Sequence, residues 1–456
     1  MSRKRLSLGI ASYGLDKIVV AAIQLLMVPV LANYWGLTLF GIWAMMITIP
    51  AFLVLSDFGT VNSALARMTR FVGRDEWEAA RVTLHTAWLV TCGICAIACG
   101  VIGGLLWWLP EGLLPSAEGF SPSDARLTLL VLLVYGLSTI LFRLNTAVFR
   151  STMQYTLSVW CSMGSYALEN AGVIIAVVSG ADPLTAALVL LVLRLAAIAF
   201  VLAVSFRRFP RLAPGFRAAS RSELGEMWRP ALAASVLGFG LAAYLQGSVV
   251  MLGALAGAAA VPAFIAVRTI SRLGTQMSTL ISIPVAQEFG NALAKEDRHK
   301  AGRYFALVAF PAATMALVMG LGLVLLAEPA IRLWTGGVIE TDRTLIIFMA
   351  VSSFGAILWN PLSNLILVIN RQAVFSYANL AISAAGLLVI YGLAGRMGAA
   401  AAGLSFALVD LVTLACVAAF IARHWLPDSE FRAGIMSALA ELHSALRRIK
   451  PLKRRE

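Results

Sequence analysis

Along the chain, apolar residues do not recur at intervals. They run on, and short charged clusters break them. Twelve such runs are long enough to cross a ~30 Å hydrocarbon layer as α-helices, at roughly 10–35, 38–62, 82–109, 127–148, 152–180, 183–206, 230–253, 259–286, 304–327, 344–369, 373–395 and 398–422. The stretch from Pro230 to Val267 carries no charge and is too long for one crossing, so a turn at Gly253-Ala254-Leu255-Ala256-Gly257 divides it. The pattern predicts an all-α polytopic membrane protein. It excludes a β-barrel, whose strands would read as ~10-residue alternating segments.

Composition agrees. Of 456 residues, 60% are hydrophobic and 13% charged, against ~25% charged in soluble domains, and the mean hydropathy is +0.85. The net charge of +13 is a topology signal before it is a nucleic-acid signal, because basic residues collect in cytoplasmic loops. With the helices drawn as above, twenty-seven Lys and Arg fall on one side, in the two terminal segments and every second loop. Four fall on the other side: Arg126, Arg332, Arg343 and Arg396. That side also holds Glu111, Glu118, Asp124, Asp182, Glu328, Glu340 and Asp342. Both termini are expected to be cytoplasmic. The first run continues to Trp35 without a small-residue cleavage site and reads as a retained helix. Trp107 and Trp108 at one end of a helix, and Trp77, Trp228 and Trp425 at the other, fit interfacial belts.

The chain repeats. A shift of 221 or 222 residues brings Gly36 onto Gly257, Gly41 onto Pro262, Asp75, Ala79 and Arg81 onto Asp297, Ala301 and Arg303, and Arg150 onto Arg371. Six helices per copy leave both copies in the same orientation, giving two parallel halves. The expected organisation is a six-helix lobe over 1–206, a basic linker over 207–229, a second six-helix lobe over 230–423 and a tail over 424–456. In the tail Phe431, Ile435, Leu439, Leu442, Leu446 and Ile449 recur at helical spacing with basic residues beyond, predicting an amphipathic helix on an anionic leaflet.

Ten charges remain inside the apolar runs, at a cost of ~2.5–3.5 kcal/mol each even on a lenient scale. Arg268 and Arg272 are one turn apart on one face, about 6 Å along the axis, and Gln276 continues the stripe. Two like charges at this spacing become favourable with an anion between them, and guanidinium binds phosphate bidentately, so a diphosphate suits the pair. Arg143 and Arg194 are further candidates for that anion. Lys17 and Gln24 form a polar stripe with Tyr13 on the first helix and line either a cavity or the interface. Glu169 and Asp410 are candidates for proton- or sodium-linked carboxylates, or for buried pairs with Arg194 or Arg143. Asp57 either joins them or holds its helix end to Arg67 or Arg70. Cys92, Cys95 and Cys99 read as packable residues of one helix, without a metal site or disulfide framework. No GxxxxGK[ST] phosphate loop occurs, which disfavours an ATP-driven pump.

The stretch 12–81, with Gly36, Phe40-Gly41-Ile42-Trp43, Leu55-Ser56-Asp57-Phe58-Gly59 and the charged loop from Gly73 to Arg81, resembles the start of Wzx-type polysaccharide-unit flippases. These form a branch of the multidrug/oligosaccharidyl-lipid/polysaccharide exporter superfamily. The duplication extends the resemblance to about residue 423. It implies a V-shaped two-lobed fold and movement of a polyprenyl-diphosphate-linked oligosaccharide from the inner to the outer leaflet by alternating access. Implied with it are a bacterial inner-membrane location, work beside a polysaccharide polymerase and glycosyltransferases, no enzymatic activity, and no cofactor beyond a coupling proton or sodium ion. Basic cavity residues of the family match Arg268 and Arg272. The rival readings are a cation-coupled multidrug or small-molecule antiporter, which would favour acids in the cavity, a non-transporting scaffold and a membrane glycosyltransferase. The last lacks a large outer loop with an acidic cluster.

Overall fold

A computed structural model describes residues 3–55, 59–368 and 372–448, so Asp57 and Arg371 lie outside the described residues. These form fourteen helices and no strand among the described residues. They are α1 (Arg3–Met46), α2 (Thr48–Leu55), α3 (Thr60–Val72), α4 (Trp77–Trp108), α5 (Pro122–Ser151), α6 (Tyr155–Val178) and α7 (Pro183–Arg208), then α8 (Arg221–Ala256), α9 (Val261–Ala294), α10 (Arg298–Trp334), α11 (Arg343–Val368), α12 (Gln372–Met397), α13 (Ala399–His424) and α14 (Ser429–Arg448). Among the described residues nine segments are long and apolar enough to cross a membrane.

Two boundaries differ from the sequence reading. The run at 38–62 is divided between the end of α1, α2 and α3, and α3 starts behind Gly59 in the left-handed conformation at φ 68°. It continues past the apolar run because Val61, Ala64 and Met68 share one buried face, while Arg67 and Arg70 lie off it. The uncharged run from 230 breaks at Gly257, the last residue of the expected turn, where φ is 89°. Only glycine holds that region without cost.

The internal repeat reappears in the backbone. Gly36 has φ 71° and ψ 174°, and Gly257 has φ 89° and ψ 150°. Asp75 and Glu296 are both left-handed, at φ 61° and 58°. Around them the bonding is the same: Asp75 and Glu76 N–H donate to Val72 and Phe71 carbonyls, Glu296 and Asp297 N–H to Leu293 and Ala292. The loop therefore repeats at 221, pairing Asp75 with Glu296 and buried Ala80 with buried Ala301. This corrects by one residue the pairing of Asp75 with Asp297 made on side-chain identity. Backbone conformation carries the repeat there, and side chains drift.

The chain divides into two compact units. One comprises Met1–Ala266 with Arg332–Glu340 and Ala394–Ala399, the other Val267–Ile331, Thr341–Leu393 and Ala400–Glu456. The first has a core of Met68, Leu84, Leu133, Ile140 and Leu144 from α3, α4 and α5, closed by Leu212 and Met227. In the second, Phe289, Leu365, Val417, Trp425 and Phe431 pack together. Phe431 brings α14 onto this core, its ring 5.9 Å from Trp425 and 5.6 Å from Phe305. The apolar residues Phe431 and Ile435 of the expected amphipathic tail thus meet protein.

The basic linker is strapped to the first unit. Buried His85 on α4 accepts at Nδ1 from the Ala218 N–H (3.0 Å), and its Nε2 meets the Ala213 carbonyl at 3.0 Å. That pattern requires a neutral ring carrying its proton on Nε2. The Ser220 N–H donates to Thr86 Oγ1 at 3.0 Å. Farther on, Arg67 grips Glu223 bidentately at 2.7 and 2.6 Å and meets Glu226 at 2.7 Å. The Glu223 hydrogen bond holds this guanidinium above its ordinary pKa. His85→Leu leaves the Ala218 N–H and Ala213 carbonyl without their partner, at about 1–3 kcal/mol. Hydrogen exchange at Ala218 should accelerate by at least about tenfold relative to the Leu84 amide, and equal rates in variant and parent would contradict this.

Candidate functional site

Four of the sequence-selected residues come together in two places, Glu169 with Arg194 in the first unit and Asp410 with Arg272 in the second. In the first unit, α7 carries Arg194 and α6 carries Glu169. They pair at 2.7 Å, with 8% and 1% of their side chains exposed. Two further groups join the cluster through three hydrogen bonds: Tyr135 of α5 donates to Glu169 Oε2 at 2.9 Å, Ser165 donates to Oε1 at 2.6 Å, and Arg194 donates to the Tyr135 hydroxyl at 3.2 Å. The guanidinium lies 5.2 and 4.9 Å from the Tyr135 and Phe142 ring centroids. Both carboxylate oxygens accept, Oε2 twice and Oε1 once, which helps a buried pair persist in a medium of low dielectric, while Arg194 Nε is buried without a hydrogen-bond partner. Arg143, also on α5, is half-buried.

In the second unit Asp410, 9% exposed, sits on α13. Ser352 donates to Oδ2, and the Trp359 indole donates to Oδ1 at 2.9 Å. Both donors come from α11, and Gly355 between them lets that helix approach, since a Cβ there would stand 3.2 Å from the Asp410 backbone. Arg194 and Asp410 are each the twelfth residue of their helix, α7 and α13.

Arg268 and Arg272 lie on α9. Arg268 is half-buried, Arg272 is exposed, and the Arg272 guanidinium interacts electrostatically with the Asp410 carboxylate. Gln276 follows one turn on and is half-buried. Two bonds hold the neighbouring side of α9 to α11: Ser353 donates to the Ser271 carbonyl at 2.9 Å, and Asn364 Nδ2 donates to Ser282 Oγ at 3.0 Å. On α1, Lys17 pairs with its neighbour Asp16 at 3.1 Å, and Gln24 is half-buried.

Sequence reasoning did not find Tyr135, Ser165, Ser352 or Trp359. Ser165 stands four residues before Glu169 on α6, a spacing that could have flagged it. The others reach their carboxylates from a separate helix, and no local pattern marks that. Among the described residues no group of three or more His, Cys, Asp or Glu side chains comes together as a metal site would require.

No family profile matches the chain, and no curated protein sequence matches it. Solved structures do. The lipid II flippase MurJ in an inward closed conformation superposes with a TM-score of 0.68 at 11% identity, covering 97% of this chain and 93% of its own. A multidrug resistance MATE family transporter of the MOP superfamily, inward-facing, gives 0.61 at 14% identity over 94% of this chain and 100% of its own. A eukaryotic MATE transporter gives 0.59 at 15% over 95% and 98%. At these identities the likeness is one of fold. The chain is a multi-pass, all-α membrane protein that shares the fold of these transporter and flippase structures.

Proposed function

We propose that this protein is a flippase, moving a polyprenyl-diphosphate-linked oligosaccharide from the inner to the outer leaflet of a bacterial inner membrane by alternating access. The observation that carries the reading is the Arg268–Arg272 pair, one turn apart on one face of α9 inside an apolar helix, with Arg272 exposed. An exposed guanidinium within an apolar helix calls for a hydrated, anion-bearing environment. The diphosphate docks on these two side chains, the sugars stay hydrated, and the prenyl chain remains in lipid. Both termini are taken as cytoplasmic, and Lys17, Gln24 and Arg143 are kept as the first unit's candidates for cavity lining and phosphate contact. Arg194 serves chiefly as the partner of Glu169 and holds the first unit together, which leaves Asp410 as the carboxylate whose protonation or sodium binding supplies direction. A polymerase and glycosyltransferases are the partners this activity would need.

A second reading, a cation-coupled multidrug antiporter, is favoured by the likeness to the MATE transporters. The basic stripe of α9 argues against it, since a cation would need acids there. One experiment separates the two. In cells carrying Arg268→Ala with Arg272→Ala, lipid-linked oligosaccharide should accumulate on the inner leaflet at least about tenfold, as in cells lacking the protein. Accumulation in neither strain would turn the assignment toward the antiporter, and accumulation in the deletion alone would move the phosphate site elsewhere.

A further inference from the structure

Between α6 and α7, within the first unit, lies an apolar groove of about 340 Å³. Trp160 and Leu168 of α6 and Phe200 of α7 line it and are 50%, 66% and 61% exposed, so it opens on the outside of the helix pair. Gly164 and Ala197 lie among them, and a Cβ on Gly164 would meet nothing within 4 Å. This glycine therefore makes a recess and not a close helix contact. From Trp160 to Leu168 the groove runs about 12 Å along α6, close to the depth of one leaflet of a ~30 Å hydrocarbon layer. Its polar lining offers a ligand little. Ser165 is buried and commits its hydroxyl proton to Glu169 at 2.6 Å, and Cys161 brings only a weakly polar thiol. The groove suits a hydrocarbon chain.

One end of it is basic. Helix α7 finishes in Arg207 and Arg208, both exposed. At 100° per residue, these two fall with Ala197 and Phe200 within about 100° of arc. The Arg208 guanidinium also acts electrostatically on the Cys161 thiol in the groove lining. Arg150 ends α5 nearby: its Nε donates to Ser158 of α6 at 3.0 Å, and the rings of Phe149 and Phe209, the neighbours of Arg150 and Arg208, lie 6.1 Å apart. No acid occurs between Asp124 and Glu169 or between Asp182 and Glu223. Glu169 and Glu223 already hold Arg194 and Arg67. The helix dipole accounts for basic residues at the end of α7. It does not account for the open groove on the same face. A chain-sized slot ending in guanidinium groups complements a lipid with an anionic head.

We propose that this groove binds one anionic diacyl phospholipid, with an acyl chain between α6 and α7 and the phosphate on Arg207 and Arg208. The site lies wholly in the first unit and is independent of the flippase reading. A chain held there covers Ser165 and keeps water from the Glu169–Arg194 cluster behind it.

The test titrates dibrominated phosphatidylglycerol, and separately dibrominated phosphatidylcholine with the same chains, into the full chain in detergent. Bromine quenches tryptophan emission on contact, and subtracting Trp160→Phe in each background isolates Trp160. Half-quenching of Trp160 should need at least about tenfold less phosphatidylglycerol than phosphatidylcholine. Arg207→Gln with Arg208→Gln should bring the two lipids to within about twofold of each other. Gly164→Leu, which fills the recess without a clash, should raise the half-quenching concentration of both by about tenfold. Equal quenching by the two lipids in the unaltered protein overturns the proposal, as does a preference that survives the arginine changes. Quenching by phosphatidylglycerol that Gly164→Leu leaves unchanged also overturns it, since the lipid would then sit at the arginines without entering the groove. A polyprenyl phosphate that displaces the brominated lipid about tenfold better than plain phosphatidylglycerol would give the groove to a carrier lipid and end the phospholipid assignment.

Discussion

Arg194→Met should cost the first unit about 3–5 kcal/mol, because it strands a carboxylate that is 1% exposed. The cause lies in the environment more than in the ion pair. Glu169 holds hydrogen bonds from Tyr135 and Ser165 that are strong only while it stays ionised, and these two neutral donors cannot compensate a full charge on their own. Glu169→Leu alone should cost a similar amount by stranding Arg194, whose guanidinium also lies against the Tyr135 and Phe142 rings. The double variant is the informative one. Replacing both members with apolar side chains of similar length removes both desolvation costs together, so it should be closer to the parent than either single change. Thermal unfolding in detergent would read the single losses as a drop on the order of 10 °C. Additive losses in the double variant would mean that the two residues act independently, against the geometry.

The next largest effect is expected where α10 and α14 cross. The helices approach through glycine on both sides: a Cβ on Gly302 would run into the Phe431 carbonyl, and one on Gly434 into the His299 carbonyl. Backbone atoms cannot rotate aside as a side chain can, so Gly302→Val must push α14 away or bend α10. Either way Phe431 leaves the cluster it shares with Phe289, Phe305 and Trp425. The ion pair of Arg303 with Glu441 at 2.8 Å would be lost too, though at 44% and 63% exposure it contributes little. We expect a loss of about 3 kcal/mol or more and rapid proteolysis beyond Trp425. Met436→Ala, a change at a side chain 64% exposed on the same helix, should stay within about 0.5 kcal/mol. Equal resistance to protease in the two variants would show that the close crossing is not what holds α14.

Much of this was legible before any coordinates. Membrane crossing follows from the apolar runs because lipid imposes one requirement on every residue of a span. The helical two-half fold was expected from the duplication and the opening motifs, and the solved transporter structures share it. Even the site was half visible: charges in apolar helices are costly, so Arg194, Glu169, Arg268, Arg272 and Asp410 announced themselves by their rarity. The repeat register was read one residue off in the loop at 75, because the alignment followed the aspartate while the structure conserves the left-handed residue before the helix.

What the sequence determined by itself are the properties set by short-range periodicity and by the solvent: which segments are helices in lipid, where turns demand glycine, and that α9 carries two arginines on one face. The tertiary structure alone decided the partners. Glu169 could have stood unpaired, and Arg194 could have met an anion. Asp410 could have met an arginine directly, whereas its oxygens accept from Ser352 and Trp359, more than fifty residues away. His85, unmarked in its apolar run, proved to hold the linker. Pairings of this kind depend on which helices lie side by side, and helix adjacency is set by the summed packing of many side chains.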